Sequence, residues 1–332
     1  MSAASSSPSR SALIAGFAAI YLIWGSTYLG IRIVVETIPP FLMAGVRFLA
    51  AGLIVTTFIA LTRGFKATKK QWRDNAIVGG FLCLGGNGLV SWSEQKVPSG
   101  IATLIISAGP VFIVLMDWAA HAFFKDGKRG TRPKPVTFLG LALGFVGLAV
   151  LVGPDVLKAG AGGLDPWSVF GLLMATLLWG CGMMYMKYAS EPAEPFTASA
   201  IQMLAGSGWL LATALLTGEF GRFDPAGITA RSVGAWVYLV TFGSLIGFST
   251  FTWLMKHSTP AKVSTYAYVN PIVAVFLGWL VLHEEVSPRI FLAAAIIIAG
   301  VVIITVTKNA KPKAPVASPI EPEPAPATNS SR

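Results

Sequence analysis

An aromatic and cationic stripe lies near the start of the chain. Tyr21, Trp24, Tyr28 and Arg32 follow one another at intervals of three or four residues, so a helix would present them on one face. Such a face suits the wall of a polar cavity, although the same residues could form an interfacial aromatic belt with a snorkelling arginine. We expect Trp24 and Tyr28 to line a cavity, and we assign Arg32 to the membrane interface.

A second cation, Arg47, lies about two turns into the next apolar segment. A charge at that depth costs several kcal/mol unless water or a partner meets it, so intramembrane charges are candidates for function. Glu36 or Glu94 could hold Arg47 in a structural ion pair. Alternatively, Arg47 lines a cavity and attracts the carboxylate of an anionic or zwitterionic solute.

The third apolar segment contains glycines, an amide and an indole close together. Its glycine-rich run, 85–88, includes Asn87 and is followed by Trp92 and Glu94. Glycines allow helices to approach closely or to unwind locally, so the run is either a packing surface or part of a substrate-binding wall. We expect Asn87 and Trp92 to line the cavity, and Asn87 needs a hydrogen-bond partner in either case.

Two prolines interrupt apolar segments at related positions. Pro110 and Pro271 each remove a helical hydrogen bond, and a pair of interrupted helices in corresponding positions indicates a transport site. We therefore predict a hinge or kink at each proline. Tyr266 and Asn270 share one face just before Pro271, and we predict that they line the cavity.

The residue types needed for enzymatic chemistry are scattered. Asp117 and His121 are one helical turn apart, where they could couple to protons or form an interfacial hydrogen bond, and we assign Glu94 and Asp117 to coupling or to ion pairs. The run His283-Glu284-Glu285 has no second histidine at the spacing of a zinc protease. We predict no catalytic residues, no metal and no cofactor, and we expect the motifs Gly140-x-x-x-Gly144 and Gly243-x-x-x-Gly247 to pack helices.

The composition requires a lipid environment for these residues. Of the 332 residues, 54% are hydrophobic and 12% are charged, and the mean hydropathy is +0.67, whereas soluble domains have about 25% charged residues. The net charge of +10 comes from short loops between apolar segments, which is typical of membrane topology. We therefore expect the lipid bilayer and a small-molecule solute as partners, and no nucleic acid.

Ten apolar segments are long enough to form transmembrane helices. This predicts an all-α integral membrane protein between an N-terminal tail (1–11) and a disordered C-terminal tail (308–332). The predicted spans are 12–34, 41–62, 75–94, 97–123, 135–153, 167–188, 196–217, 233–255, 262–283 and 288–307.

The chain contains two copies of one pattern. Trp24-Gly25 recurs 155 positions later as Trp179-Gly180, and Arg47 is replaced by Gln202; further matches continue to the ends of both copies. The copies are 12–153 and 167–307, joined by a linker at 154–166. Because each copy has five predicted helices, the second enters the membrane inverted, as in secondary transporters whose substrates bind between the halves. By its equivalence to Trp24, we expect Trp179 to line the cavity.

The distribution of basic residues predicts the orientation. With a cytoplasmic N-terminus, about 18 of the 25 basic residues face the cytoplasm, including five in each of the segments 63–74 and 124–134. This asymmetry fits the positive-inside rule. Both termini are therefore predicted to be cytoplasmic.

Several of these motifs, in their order and spacing, resemble one family over residues 13–307. The sequence is similar to the drug/metabolite transporter superfamily, and most resembles its bacterial EamA branch. The motifs are Tyr21-x-x-Trp24-Gly25-Ser26-Thr27-Tyr28, Pro39-Pro40, Arg47-Phe48, Gly86-Asn87-Gly88, Val97-Pro98-Ser99-Gly100-Ile101-Ala102, Tyr266-x-Tyr268-Val269-Asn270-Pro271 and Glu284-x-Val286-Ser287.

This resemblance implies an exporter of amino acids, other small metabolites or drugs in the bacterial inner membrane. It also implies a central cavity walled by helices one, three, four, six, eight and nine. The sequence departs from the family pattern in two places. Phe123-Phe124-Lys125 stands where the first half often repeats the acid seen at Glu284, and no arginine lies opposite Arg47.

We therefore predict a multi-pass exporter that works by alternating access, as a monomer or a homodimer. The alternatives are a channel or a membrane assembly partner without turnover, and an intramembrane enzyme, which would need a convergent nucleophile or metal set that the sequence lacks.

Overall fold

The computed structural model describes residues 8–123, 134–157, 163–258, 260–263 and 265–309. Within these ranges the chain forms helices and turns, and none of the residues belongs to a strand. The all-helical prediction is therefore confirmed for this part. The predicted N-terminal tail, linker and C-terminal tail lie partly or largely outside the described residues.

We number the main helices in chain order. Short helical turns at Glu219–Arg222, Pro225–Gly227 and Pro260–Val263 lie between them. The main helices are α1 (Arg10–Val34), α2 (Pro40–Thr62), α3 (Lys69–Ser93), α4 (Ser99–Ile106 and Gly109–Phe123), α5 (Pro135–Leu157), α6 (Pro166–Tyr188), α7 (Pro195–Leu216), α8 (Ala230–His257), α9 (Tyr266–Leu282) and α10 (Pro288–Asn309).

Seven of these helices, α1–α4 and α6–α8, are long and apolar enough to cross a membrane. The apolar stretches in the other three helices are shorter: Pro135–Leu151, Val269–Leu282 and Pro288–Gly300. The described residues therefore support a multi-pass membrane protein. That all ten helices span the bilayer stays a prediction.

The third helix starts six residues before the predicted position 75. Thr68 caps it: the Thr68 hydroxyl accepts a hydrogen bond from the Gln71 backbone N–H at 3.1 Å, and the Gln71 side chain accepts from the Thr68 N–H at 3.0 Å. This capping box initiates a helix regardless of hydropathy. The polar first turns of α3 were missed because the prediction followed apolar length alone.

The sequence predicted one span over 97–123 for the fourth helix, with a kink at Pro110. The structure shows two helical parts instead. Ser107 and Ala108 separate the two parts, and Pro110 is the second residue of the second part. A proline there removes a hydrogen bond that a first helical turn lacks anyway. In contrast, Pro271 lies inside α9, which begins at Tyr266 and not at the predicted position 262.

The third and eighth helices each have a π-helical middle, over Gly80–Gly88 and Leu239–Phe248. These stretches match one another at a shift of about 160 positions, close to the shift of 161 between Trp92 and Trp253 in this part of the two sequence copies. The wider π turn is rare and often occurs at functional sites. The glycine run in the first copy was expected to allow unwinding or close approach, and both occur.

Small residues bring the last helix of each copy together. A Cβ added to Gly300 of α10 would lie 2.7 Å from the carbonyl oxygen of Gly140 in α5, and one added to Gly147 would lie 2.6 Å from Ile297. Backbones this close exclude a side chain at the contact. The prediction that Gly140 packs helices is confirmed.

The bundle has two ends, which polar contacts between connecting segments define. We call the first of them the Glu94 end, and it contains the ends of α1, α3, α7 and α9. Here Lys96 contacts Asp165, just before α6, at 3.2 Å. The Leu42 N–H donates to Oε2 of Glu219, just after α7, at 2.8 Å. Thr37 also donates to Ser232, at the start of α8. Residues 218–232 therefore lie at the Glu94 end.

The opposite end of the bundle, which we call the Asp74 end, contains the starts of α3 and α7 and the ends of α4 and α6. Asp74 accepts from the Tyr185 hydroxyl at 3.2 Å and from the Glu191 N–H at 2.9 Å, and Arg73 pairs with it at 2.9 Å. The segment 63–74 thus lies at the end of the bundle opposite to 218–232, its equivalent in the second sequence copy.

Candidate functional site

A cavity of about 80 Å³ lies at the centre of the bundle, between the two sequence copies. It is walled by α1, α3, α4, α6, α8 and α9, as the resemblance implies, and also by α2, which contributes Arg47. Seven of the eight predicted lining residues meet here. They are Trp24, Tyr28, Arg47, Asn87, Trp179, Tyr266 and Asn270, and Pro110 joins them.

Trp24 and Trp179 form the centre of the cavity wall. Their ring centroids are 5.5 Å apart and their planes meet at 84°. Tyr266 and Phe251 each lie with their ring centroids 5.1 Å from that of Trp24. The Trp24–Trp179 and Trp24–Tyr266 pairs are edge to face at 84°, whereas Phe251 is tilted at 40°. Edge-to-face pairs contribute about 0.5–1.5 kcal/mol each beyond burial. The cluster joins α1 and α6 to α8 and α9, so the wall belongs to both copies.

Each tryptophan packs on a π-helical glycine of the other copy. A Cβ at Gly247 would lie 2.6 Å from Trp24 Nε1, and a Cβ at Gly86 would lie 2.5 Å from Trp179 Cε3. Neither position has room for a side chain. The Trp24 indole also donates to the Gly243 carbonyl at 3.3 Å. The glycines thus determine where both rings sit.

Arg47 is buried, with 2% of its surface exposed. Its Nε donates to the Ser244 hydroxyl at 2.8 Å, and its guanidinium carbon lies 4.9 Å from the Phe48 ring centroid. No carboxylate lies within 4 Å of it in the described part of the chain, and Nη1 has no partner there. The ion pairs with Glu36 and Glu94 are therefore absent, because Arg47 turns toward α8 and not toward the Glu94 end.

Asn270 joins α9 to α1. Both neighbouring groups are carbonyls, so the side-chain amide is oriented with its nitrogen toward them; in that orientation the nitrogen donates to the carbonyls of Tyr21 at 3.0 Å and Tyr266 at 3.1 Å. Gly25 allows this approach, since a Cβ there would lie 2.7 Å from Val273. Asn270 therefore fixes the cavity wall in addition to facing the cavity.

Asn87 obtains the hydrogen-bond partner that its depth requires. Its side-chain amide nitrogen donates to the Leu82 carbonyl, five residues earlier, at 3.2 Å, and its backbone carbonyl accepts from the Ser91 hydroxyl at 2.8 Å. The π-helical backbone thus places an amide at the cavity without leaving it unpaired.

Two sequence predictions fall outside the cavity. Trp92 packs on Gly171 of α6, where a Cβ would lie 2.9 Å from its ring. Five residues after Asn87, Trp92 lies about 140° further round the helix and so on a different face. Pro271 lies in an apolar groove between α9 and α10, with Phe276 and Trp279. Its predicted role as a hinge stays a prediction.

The cavity lies between two groups of acidic residues, one at each end of the bundle. At the Glu94 end, Glu284 accepts from the Ser99 N–H at 2.8 Å and from the Gly100 N–H at 3.3 Å, so it caps α4. At the Asp74 end, Asp117 accepts from the Tyr188 hydroxyl at 2.8 Å and contacts Lys187 at 3.4 Å. Of the two predicted roles of Asp117, an ion pair is observed.

Sequence reasoning missed several residues of the cavity. Ser244 holds Arg47, yet a serine in an apolar segment carries no distinctive pattern. Gly243 was assigned to helix packing, and it does pack, but against the Arg47 guanidinium, whose Nη2 would lie 2.8 Å from an added Cβ. The remaining missed lining residues include Thr27, Thr176, Gly180 and Phe248.

A bundle of apolar helices around a central cavity, with a buried cation in its wall, is typical of a multi-pass membrane protein of the transporter class. The sequence profile described as the EamA-like transporter family matches residues 11–153 and, a second time, residues 166–306. The chain belongs to the EamA-like transporter family. Membership indicates a transporter rather than an enzyme.

Relatives support this assignment. The chain is 36% identical over 304 residues to "Uncharacterized inner membrane transporter YedA" of Escherichia coli, covering 91% of this chain and 93% of the relative. It is 24% identical to "Uncharacterized transporter YoaV" of Bacillus subtilis, over 88% and 96% of the two chains. A solved crystal structure with 22% identity has a TM-score of 0.60 over 90% of this chain and 98% of that chain, which supports the fold alone.

Proposed function

We propose that this protein exports amino acids, other small metabolites or drugs across the bacterial inner membrane. Two inverted halves, 12–153 and 167–307, would expose the central cavity alternately to the two sides, with all ten helices spanning and both termini in the cytoplasm. The inner-membrane location is supported by the name of the Escherichia coli relative and by the apolar helices of this chain.

The antiparallel arrangement is supported by where equivalent segments lie. The segments 63–74 and 218–232 correspond to one another in the two copies and lie at opposite ends of the bundle. The first copy provides Trp24 and the second provides Trp179 to one shared cluster. A solute bound there would contact both halves, as alternating access requires.

The observation that carries the proposal is the buried guanidinium of Arg47. Its Nη1 has no partner among the described residues, and burying a charge without a partner is expensive. A solute carboxylate in the cavity would supply that partner. Trp24, Trp179 and Tyr266 would contact the apolar part of the solute, and such contacts tolerate a range of shapes.

The volume of the cavity is consistent with a contracted state. Binding sites for small molecules usually enclose about 300–1,000 Å³, whereas this cavity has about 80 Å³. A solute would therefore require the walls to separate. The break in α4 at residues 107–108 and the π turns of α3 and α8 are the backbone features where such movement would occur.

Counterflow in proteoliposomes tests the proposal. The purified protein is assayed with a radiolabelled panel of amino acids, sugars and cationic drugs. We expect saturable counterflow for at least one solute that carries a carboxylate. Flux without saturation or counterflow would identify a channel instead, and absence of flux for every solute would favour an assembly partner.

The role of Arg47 is tested by Arg47→Ala in the same assay. We expect flux to fall to the background of empty liposomes while the protein still inserts and purifies. Arg63→Ala is the matched control, because Arg63 is exposed at the end of α2, and it should retain wild-type flux. Wild-type counterflow in Arg47→Ala would remove the role assigned to this residue.

A further inference from the structure

Glu94 is a buried acid without a hydrogen-bond partner. None of its surface is exposed, and neither carboxyl oxygen has a hydrogen-bond partner in the part of the chain that the structure describes. It follows the last residue of α3, at the Glu94 end. An ionised carboxylate in this position would lose its hydration without compensation.

Charged and titratable groups surround Glu94, and none of those described hydrogen-bonds its carboxyl group. From α1, Arg32 donates to the Glu94 backbone carbonyl, and its positive charge favours an ionised Glu94. The Tyr28 phenol lies on the same helix, one turn before Arg32. From the segment after α9, Glu284 adds a second acid. Lys96, two residues further on, is engaged by Asp165 at the start of α6.

The neighbouring acid has the opposite environment. Glu284 accepts hydrogen bonds from the Ser99 and Gly100 N–H groups at the N-terminus of α4, whereas the Glu94 carboxyl oxygens have no such partners in the described residues. Burial favours the protonated form of Glu94 most strongly, and the neighbouring acid Glu284 adds to it. Together they outweigh the Arg32 guanidinium, which favours the ionised form.

Tyr28 connects this acid to the cavity. Tyr28 lines the central cavity and lies one helical turn before Arg32, which donates to the Glu94 backbone carbonyl. Water that enters a widened cavity, or that reaches the Glu94 end when it opens, would hydrate the carboxyl group and allow it to ionise. The protonation state of Glu94 would then follow the conformation of the bundle.

We propose that Glu94 is the proton-binding residue of this transporter and that proton entry is coupled to solute export. The inference rests on the proposed function. In each cycle the Glu94 carboxylate takes one proton from water at the Glu94 end, holds it while that end is closed, and releases it to water on the other side. No other bond forms or breaks.

Infrared spectroscopy tests the protonation without any solute. The C=O stretching band of a protonated carboxyl group should be present in the wild type at neutral pH and weaker by one group in Glu94→Gln. Glu36→Gln, which changes an exposed acid at the same end, should keep the wild-type band. Equal bands in Glu94→Gln and the wild type would overturn the assignment.

A transport assay tests the coupling, with L-phenylalanine as the probe because it has a carboxylate and an aromatic ring. In liposomes with an acidic interior, one-for-one exchange should drive up to about tenfold accumulation for a gradient of one pH unit. Glu94→Gln should keep counterflow but lose this accumulation, and Glu36→Gln should accumulate the probe normally. Accumulation by Glu94→Gln at the wild-type level, or none by a wild type that performs counterflow, would overturn the coupling.

A failure of the proposed function and a failure of the Glu94 assignment would give different results in the two assays. If the wild type did not carry L-phenylalanine, the proposed solute class would be at fault, and the infrared difference would still decide whether Glu94 holds the proton. Glu94→Asp guards against misfolding, since it retains a titratable group and should show a carboxyl band that Glu94→Gln lacks.

Discussion

Trp24 and Trp179 meet edge to face with ring centroids 5.5 Å apart, and each packs against a glycine of the other sequence copy. The two residues are equivalent in the copies, and so are their glycine partners, Gly247 and Gly86. This reciprocal exchange places both indoles at the centre of the bundle. The cavity is therefore a shared surface, and neither copy could form it alone.

Gly86→Ala tests this arrangement. The new Cβ would lie 2.5 Å from Trp179, and overpacking of this kind typically costs about 1–3 kcal/mol. We expect a lower thermal unfolding temperature in detergent and loss of most of the flux. Gly208→Ala in α7 is the control, because nothing lies within 4 Å of its Cβ. Equal unfolding temperatures for the two variants would contradict the proposed packing of Trp179.

Ser244→Ala tests how Arg47 is positioned. The substitution removes the acceptor of the 2.8 Å hydrogen bond from Arg47 Nε, and an unpaired buried donor costs about 1–3 kcal/mol. We expect the KM for carboxylate solutes to rise about tenfold with a smaller change in maximal flux. Ser207→Ala is a suitable control, since Ser207 bonds only within its own helix. An unchanged KM in Ser244→Ala would show that Arg47 needs no such support.

Pro271→Ala and Pro110→Ala should differ in their effects on the unfolding temperature and on turnover. Pro271 lies inside α9, so alanine can restore one helical hydrogen bond, worth about 1 kcal/mol, and stiffen the helix. We expect a higher unfolding temperature and slower turnover. Pro110→Ala should change the unfolding temperature less, because a first-turn proline interrupts no bond. A larger stabilisation from Pro110→Ala would contradict this distinction.

The stability that Asp165 contributes by capping α6 should depend on pH. Hydrogen bonds from the Ser168 hydroxyl and N–H, together with the Lys96 ammonium, hold the pKa of Asp165 below the ordinary value of 3.8. Its capping contribution to α6 is therefore complete above that pH and is lost as the pH falls through the lowered pKa. Asp165→Ala should cost about 1 kcal/mol at pH 7.

Chemical unfolding in detergent at several pH values measures this effect. The difference in unfolding free energy between Asp165→Ala and the wild type should shrink below pH 3.8. A difference that is constant with pH would assign the effect to packing instead of charge.

Periodicity and the internal repeat were sufficient to predict the helical class and most of the cavity residues. The repeat identified Trp179 from Trp24, and intramembrane polarity singled out Arg47 and Asn270. The structure places these residues around one cavity, because a buried charge, amide or indole in an apolar helix has few other positions that avoid lipid.

Other features depend on backbone geometry that apolar length does not reveal. The π turns of α3 and α8 are not visible in the hydrophobic pattern. Trp92 lies five residues after Asn87 and therefore on a different face of α3. The break in α4 and the capping box at Thr68 likewise depend on local hydrogen bonds. The partner of Arg47 could not be predicted, because Ser244 comes from α8, in the other copy.

The central claim is that the two copies lie antiparallel across the membrane. Thiol labelling of single-cysteine variants tests it most directly, in a background where Cys83 and Cys181 are replaced. A cysteine at Lys66 should react with an impermeant reagent only after cells are opened, and a cysteine at Asp224 should react in intact cells. Labelling of both positions from the same side would contradict the antiparallel arrangement and, with it, the shared cavity as a transport site.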